Sequence, residues 1–576
     1  MPATGTPASM PEAEPAITAS PARRRLRGLG AGALACLAAG LLHALCFAPA
    51  NLWWLELLAL AVPLGWALHA PSTRAALLFG FCFALGWLGL GLSWIYISLH
   101  HYGQLWAPLA ALAVVLLAAG LALLPALGCA LAAAAAPAAS VGRALALVGA
   151  WTLAEWLRGV VLGGMPWLAT GYAHSDGPLA GYAAVLGVYG VGALAASCAL
   201  LPLWAAAVPA ADAGTPLGTL LNSTLNLRSG CALRHRLGRN TWRIALGTVG
   251  SALVLALGTL LQGIAWTQAS GVPLRVRLVQ GNIAQDLKFA EGGLELATTR
   301  YLPTLHPMAM RGPDDHASHP QTLPPDLIVF PESAFPVPVN RLPDEILDVL
   351  ADPAQRAGAA LVFGAFIVEP GHRYFNSAVG LDGGAGEPQR YSKRHLVPFG
   401  EFIPYGFHWF VQLLHIPIGD QEQGERYQPP MALAGQQIAV NICFEDLFGA
   451  AIIDAWHDPD REPTVLLNLS NLAWFDDSSA LPQHLQISRM RALETGRPLL
   501  RATNTGVTAL IDADGSVLQQ LPVRLEGVLE GSVQPRTGRT PFVRMGNLPT
   551  VLLAAALLLG AALYRHRGVL APRRIS

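Results

Sequence analysis

Lysine is nearly missing from this chain. Only Lys288 and Lys393 occur among 576 residues, against thirty-five arginines. Where arginine serves as the generic cation, a retained lysine marks a place for a compact ammonium that donates at one point and fits a tight pocket. Charge of any kind is scarce. Only 13% of residues are charged while 53% are hydrophobic, and mean hydropathy is positive. That composition excludes a chain soluble throughout and indicates an integral membrane protein. A formal net charge of zero removes the electrostatic argument for a nucleic-acid partner. No Cys/His cluster has metal-ligand spacing, and no glycine-rich loop follows a strand as a phosphate cradle would. Neither a metal nor any other cofactor is expected. Cysteine is sparse where it counts: Cys36, Cys46, Cys82, Cys129, Cys198 and Cys231 all lie in the apolar N-terminal part, leaving Cys443 alone in the polar segment.

What the chain does have is apolar length. After a Pro/Ala/Ser/Thr-rich segment, residues 1–22, that reads as a disordered tail, spans of about twenty residues are expected at 28–48, 52–70, 76–97, 107–135, 143–162, 181–206, 244–264 and 547–564. Arginine sets their direction. The cluster Arg23, Arg24, Arg25, Arg27, then Arg74, Arg143, the group Arg228 to Arg243, and Arg565 to Arg574 fall on one side; the opposite short connections hold Arg158 at most. By the positive-inside rule both termini are expected in the cytoplasm and residues 266–546 on the outer face. The expected organisation is a tail (1–22), a seven-span membrane domain (23–265), an external domain (266–546) and a last span with its tail (547–576).

The external segment alternates short apolar runs with helical periodicity. Leu274–Gln280, Leu327–Phe330, Ala360–Ile367, Ser377–Leu381, Ile438–Cys443, Val465–Leu469, Leu499–Ala502 and Val507–Ile511 read as strands, and Asp344–Ala357 and Leu481–Thr495 as helices. Such alternation predicts an α/β layered domain. Residues 303–326, rich in Pro, His and Asp, read as a surface insertion.

Three stretches carry chemistry. Glu332 follows the strand Leu327–Phe330 directly. Lys393 precedes Glu401 by eight residues. Cys443 ends an apolar strand and is followed by Phe444, Glu445 and Asp446. Singly, a lone cysteine is a small hydrophobe, an acid at a strand end a helix cap, and a lysine a surface cation. Together they make a mechanism. A thiol needs a base within hydrogen-bond reach, which Glu332 supplies, and a tetrahedral intermediate needs a cation at its oxyanion, which Lys393 supplies. A further carboxylate, Glu401 or Glu445, would hold that lysine.

Glu, Lys and Cys in this order, each near the end of a buried strand, resemble the nitrilase superfamily. Seven N-terminal spans, an external nitrilase-like domain and a last span resemble the apolipoprotein N-acyltransferase family over roughly residues 26–565. The motifs that carry the resemblance are Val279-Gln-Gly-Asn282, Pro331-Glu-Ser333, Lys393 to Pro404, Asn441-Ile-Cys-Phe-Glu-Asp446, Asn468-Leu-Ser-Asn471 with Trp474, Gln483 to Glu494, and Arg497 to Gly506. In the membrane half Glu155-Trp-Leu-Arg158, Pro166-Trp167 and Gly171-Tyr172 match as well. One departure is Phe289, where the family usually carries tryptophan after the equivalent of Lys288; the aromatic face is kept and the indole N–H is lost.

The resemblance implies a polytopic α-helical membrane domain joined to an α/β, nitrilase-like αββα sandwich. It implies an acyltransferase of the bacterial cytoplasmic (inner) membrane with its catalytic domain on the periplasmic face. Glu332, Lys393 and Cys443 would be catalytic, with Glu401, Glu445, Phe444 and Phe289 in support. An acyl chain would pass from a phospholipid such as phosphatidylethanolamine to a thioester on Cys443, then to the α-amine of a diacylglyceryl apolipoprotein. Trp167, Tyr172 and Trp474 are candidates for lipid contact, with belt anchoring the alternative for the first two. Glu155 and Arg158, at i and i+3, are expected to pair, with a lipid-headgroup contact the alternative. His484 and Arg489 read as structural hydrogen bonders, and His395 lies outside any papain-like signature. The rival functions are a membrane-tethered amidase that hydrolyses its thioester and a catalytically dead lipid receptor.

Overall fold

The computed structural model describes residues 21–207, 239–305, 324–356, 359–382, 387–403 and 421–570. Residues 1–20 of the expected tail and 306–323 of the expected insertion lie outside the described residues.

Eight long helices occupy the places the apolar runs predict. They are α1 (Pro21–Ala44), α2 (Trp53–His69), α3 (Thr73–Gly91), α4 (Ala107–Ala135), α5 (Val141–Arg158), α6 (Ala183–Ala207), α7 (Arg239–Gln262) and the last helix, Leu548–Leu570. Among the described residues, five stretches are long and apolar enough to cross a membrane: Thr73–Gly91, Ala107–Ala135, Pro178–Ala206, Trp242–Gln262 and Leu548–Arg565. Gly28–Ala44 and Trp53–His69 are shorter apolar helices. Local chemistry starts two of the helices, since Ser72 and Ser140 accept hydrogen bonds from the backbone amides of Ala75 and Arg143. Helix α1 begins at Pro21, two residues inside the expected tail, and takes in the arginine cluster.

Helix α5 buries Arg143, Glu155 and Arg158. The expected Glu155–Arg158 pair does not form. Glu155 accepts from the amide and hydroxyl of Thr170, at 3.0 and 2.5 Å, while Arg158 donates to the carbonyls of Met165 and Trp167 at 2.7 and 2.6 Å. The irregular segment after α5 offers backbone groups that need partners more than the two side chains need each other.

The polar segment folds as two six-stranded sheets. In chain order the strands are β1 (Leu274–Gln280), β2 (Leu327–Val329), β3 (Ala360–Glu369), β4 (Arg373–Leu381), β5 (Gln389–Ser392), β6 (Met431–Leu433), β7 (Gln436–Ile442), β8 (Val465–Ser470), β9 (Leu499–Thr503), β10 (Ala509–Ile511), β11 (Val517–Gln520) and β12 (Gly527–Val533). The first sheet runs β12-β1-β2-β3-β4-β5 and the second β11-β10-β9-β8-β7-β6. Strands β1, β2 and β3 are parallel, as are β7, β8 and β9, where Asn441 faces Asn468 and Asn468 faces Arg501.

The eight expected strands are all present. Four others escape the periodicity: β5 and β11 are polar, β6 has three residues, and β12 carries Glu530, which pairs with Arg277 of β1 at 2.8 Å.

The two sheets meet through Val276, Leu278, Val329, Ile442, Leu467, Leu469 and Leu500. Helices α8 (Gly293–Tyr301) and α9 (Asp344–Arg356) cover the outer face of the first sheet, with Tyr301 and Leu350 against Ile328 and Leu361. Helix α10 (Ala480–Thr495) covers the second, with Ala492 against Leu466 and Leu499. The result is an αββα sandwich. The opposite face of α10 packs Ile487 and Met490 into the same core as Trp87, Trp151 and Trp167 of the helical bundle. Helix α10 thus belongs to both halves, and the last helix, α11 (Leu548–Leu570), returns to pack on α5.

Within the bundle, α1 and α3 touch backbone to backbone. A Cβ on Gly40 would collide with the carbonyl oxygen of Phe83, and one on Gly86 would lie 2.5 Å from that of Leu37. Gly40→Val is expected to force α1 and α3 apart at a cost of about 1–3 kcal/mol. Thermal unfolding of the detergent-solubilised protein measures it, and an unchanged midpoint contradicts the close packing.

Candidate active site

The site assembles where both sets of parallel strands end, the usual place for a ligand crevice in an α/β sheet. Glu332 follows β2, Lys393 follows β5 and Cys443 follows β7. Asn471, after β8, completes the group. The backbone turns sharply at the thiol: Ile442 is the last strand residue, and Cys443 has φ of 53° in a 3₁₀ turn through Leu447. A non-glycine residue in the left-handed region is strained, and here the strain lifts the side chain off the sheet edge.

Lys393 Nζ lies 3.3 Å from Glu332 Oε1 and 2.7 Å from Glu401 Oε1, with all three side chains largely buried. Asn376 of β4 donates to both carboxylates, at 2.8 and 3.3 Å. The backbone amide of Asn471 donates to Glu332 Oε2 at 2.8 Å, and the same amide bears on the Cys443 thiol. Burial by itself would lower the Lys393 pKa, but Glu332 and Glu401 reverse this and raise it above the usual lysine value. Burial, and then the Glu332 charge, push the Cys443 thiol up, with Lys393 opposing. The resting site therefore holds a protonated thiol beside an ion cluster that can accept its proton.

Of the two carboxylates expected to hold Lys393, Glu401 touches the ammonium. Glu445 grips the backbone instead. Its carboxylate accepts from the amides of Ile442, Arg394 and His395 at 2.8, 2.7 and 3.0 Å, and from the Tyr391 hydroxyl at 2.9 Å. It ties the turn carrying Cys443 to the segment carrying Lys393.

Beneath the thiol, Arg501 donates to His484 Nδ1 at 2.8 Å, so His484 Nε2 carries the proton and donates to the Cys443 carbonyl at 3.2 Å. Burial and the Arg501 charge keep His484 neutral, its pKa held well below the ordinary value. This matches the structural reading of His484. Arg489 pairs with Asp176 of the bundle, and His395 stacks on Phe448 with ring centroids 4.3 Å apart.

The aromatic candidates separate. Trp167 and Tyr172 are buried between bundle and sandwich, off the outer surface where a belt anchor would sit. The Trp167 indole donates to Gln483 Oε1 at 2.8 Å and stacks on His484; the Tyr172 hydroxyl donates to the Leu447 carbonyl at 3.2 Å. Helix α10 had to dock on them for this to happen, which no local pattern encodes. Trp474 remains 41% exposed, its ring edge-on to Tyr102. Phe444 is buried against Phe448, away from solvent, and Phe289 is 52% exposed, 6.2 Å from the Phe366 ring.

Asn376 and Lys288 are the site residues that motif reading did not place. Nothing in its neighbourhood flags Asn376, whereas the rarity of lysine flags Lys288. Among the described residues no group of three or more His, Cys, Asp or Glu side chains could hold a metal.

A strained thiol after a parallel strand, facing a glutamate and a lysine, defines a nitrilase-like enzyme. Residues 275–542 match the family model described as carbon-nitrogen hydrolase, and residues 39–201 the one described as apolipoprotein N-acyltransferase N-terminal domain. The chain is 45% identical over 531 residues to an apolipoprotein N-acyltransferase of Ralstonia nicotianae, covering 92% of each chain. It is 42% identical to one of Bordetella bronchiseptica (91% and 95% covered) and 36% identical to one of Pseudomonas aeruginosa (93% and 96%). Among solved structures, a carbon-nitrogen hydrolase of Helicobacter pylori aligns with 15% identity and a TM-score of 0.29, over 52% of this chain and 99% of that one. The chain belongs to the apolipoprotein N-acyltransferase family and is an acyltransferase.

Glu401 and Glu445 should respond differently to neutralisation. Glu445→Gln leaves one oxygen where two now serve four donors, at a cost of about 2–4 kcal/mol, so its melting temperature should fall. Glu401→Gln gives up an oxygen where two serve three donors but leaves Lys393 paired with Glu332, so it should lose less stability while acylation slows but persists. Thermal unfolding and thioester yield on both variants check this; equal stability losses would refute the division of labour.

Proposed function

We propose that the chain transfers an acyl chain from a glycerophospholipid, through a thioester on Cys443, to the α-amine of the N-terminal diacylglyceryl-cysteine of an apolipoprotein. The observation that carries this reading is the buried Glu332–Lys393–Glu401 cluster beside Cys443, mounted through α10 on an apolar helical bundle. Lipid substrates can reach such a site without full extraction into water.

Glu332 takes the Cys443 proton as the thiolate attacks the ester carbonyl. Lys393 meets Glu332 and Glu401 with two of its three N–H groups, and the third would serve the oxyanion. Collapse breaks the ester C–O bond, and the proton on Glu332 passes to the leaving lysophospholipid alkoxide. In the second half Glu332 takes a proton from the attacking amine, an amide bond forms, and the thiolate leaves to recover its proton. Phosphatidylethanolamine is the proposed donor. Placement in the inner membrane follows from the same reading; the arginine distribution supports residues 266–546 on the periplasmic face with both termini in the cytoplasm, and the apolar runs support domain boundaries at 23–265 and 547–576.

Incubation with phosphatidylethanolamine followed by mass spectrometry should find an acyl thioester on Cys443. Continuous release of free fatty acid without acceptor would instead make the chain a hydrolase. Cys443→Ser should form no acyl-enzyme, because a base suited to a thiol does not deprotonate a hydroxyl well. Glu332→Gln should accumulate thioester very slowly; parent-like accumulation would overturn Glu332 as the base. Lys393→Arg keeps the charge but is planar and larger, and should lose about a hundredfold in rate, close to Lys393→Ala. Near-full activity of the arginine variant would reduce Lys393 to a field source.

A further inference from the structure

The two lysines of this chain converge on one residue. Lys393 meets the Glu332 carboxylate, and Lys288 donates to the Glu332 backbone carbonyl at 3.1 Å. Lys288 is fully buried on the short turn Gln285–Lys288 after β1. The same turn reaches the other end of Glu332. Gln285 Oε1 accepts from the Asn471 side chain at 2.8 Å, and the Asn471 amide donates to the Glu332 carboxylate. A lone buried ammonium is costly, and a single carbonyl is a small return for its desolvation. Burial lowers its pKa to about 8, with Glu332 opposing the fall.

We propose that Lys288 is a positioning residue for the base: its ammonium anchors the Glu332 backbone and sets a positive charge beside the carboxylate that takes the Cys443 proton. This rests on Glu332 being that base. The charged and titratable groups around Glu332 are then Lys288 on its backbone side and Lys393, Glu401 and Cys443 on its carboxylate side, with Asp286 on the turn itself. A compact ammonium that donates at one point suits a single carbonyl, which gives a reason for a lysine in a chain that otherwise uses arginine.

The test is iodoacetamide alkylation of Cys443 in the full-length detergent-solubilised protein, read by mass spectrometry of the Cys443 peptide as a function of pH. No lipid substrate is needed, so the outcome does not depend on the acyl donor. Lys288→Met removes both charge and hydrogen bond; Lys288→Gln removes only the charge. Both should move the acidic limb of the alkylation profile to higher pH and slow alkylation by about tenfold at neutral pH, one unit of proton affinity. Lys288→Gln, which still donates to the carbonyl, should keep the parent's melting temperature, so it decides the matter if Lys288→Met does not fold. A parent-like pH profile in the Gln variant overturns the proposal, whatever happens to stability. If Glu332→Gln itself alkylates like the parent, the base assignment falls first and this inference with it.

Discussion

An ammonium between two carboxylates, all three largely out of water, governs how this protein is built. Each such group would be costly alone, and the mutual attraction repays desolvation only if geometry is held tightly. Lys393, Glu332 and Glu401 meet that condition because every remaining acceptor is used. Asn376 serves both carboxylates, the Asn471 amide takes the second Glu332 oxygen, and the Val397 amide the second Glu401 oxygen. Those partners come from β4, from the end of β8 and from the loop after β5. Only two sheets packed face to face bring them to one point.

The same cluster explains why the thiol can remain protonated at rest and still react. Apolar surroundings and a neighbouring carboxylate disfavour a free thiolate, while Lys393 stabilises negative charge only where it is placed to meet it. Proton transfer to Glu332 is then coupled to attack on a carbonyl, and the charge created falls on the oxyanion instead of persisting on sulfur. Such a site stays quiet until an acyl donor arrives.

Helix α10 links this chemistry to the bundle. Its residues contact the membrane half one after another: Gln483 receives the indole N–H groups of Trp94 and Trp167, Gln486 bonds Ala48 and Asn51, Arg489 pairs with Asp176, and Glu494 accepts from the Val188 amide. From the same helix His484 holds the Cys443 carbonyl. The backbone of the nucleophile is thus set partly by helices that meet lipid, which a soluble relative of the sandwich would not need.

Much of this was legible in one dimension. Apolar runs of membrane-crossing length forecast the helices, because hydrophobicity and length act locally. Short, largely apolar runs forecast β1, β2 and β7 to β9, because parallel strands buried on both faces favour such runs. Cys443, Glu332 and Lys393 stood out for a similar reason: each abuts one of those strands or breaks a compositional rule. The chain alone did not decide what depends on partners far away in sequence. The edge strands β5, β6 and β11 exist because a neighbour offers a ladder. Glu401 rather than Glu445 holds Lys393 because of how two loops cross. Glu155 and Arg158, adjacent on a helix face, turn to the carbonyl and amide groups of a passing segment. Trp167, which reads as an interfacial aromatic, lies in a dry interface because α10 covers it. Local pattern determined which elements form and which residues can do chemistry; tertiary packing decided their pairings, because burial makes each polar group take whatever partner the fold delivers.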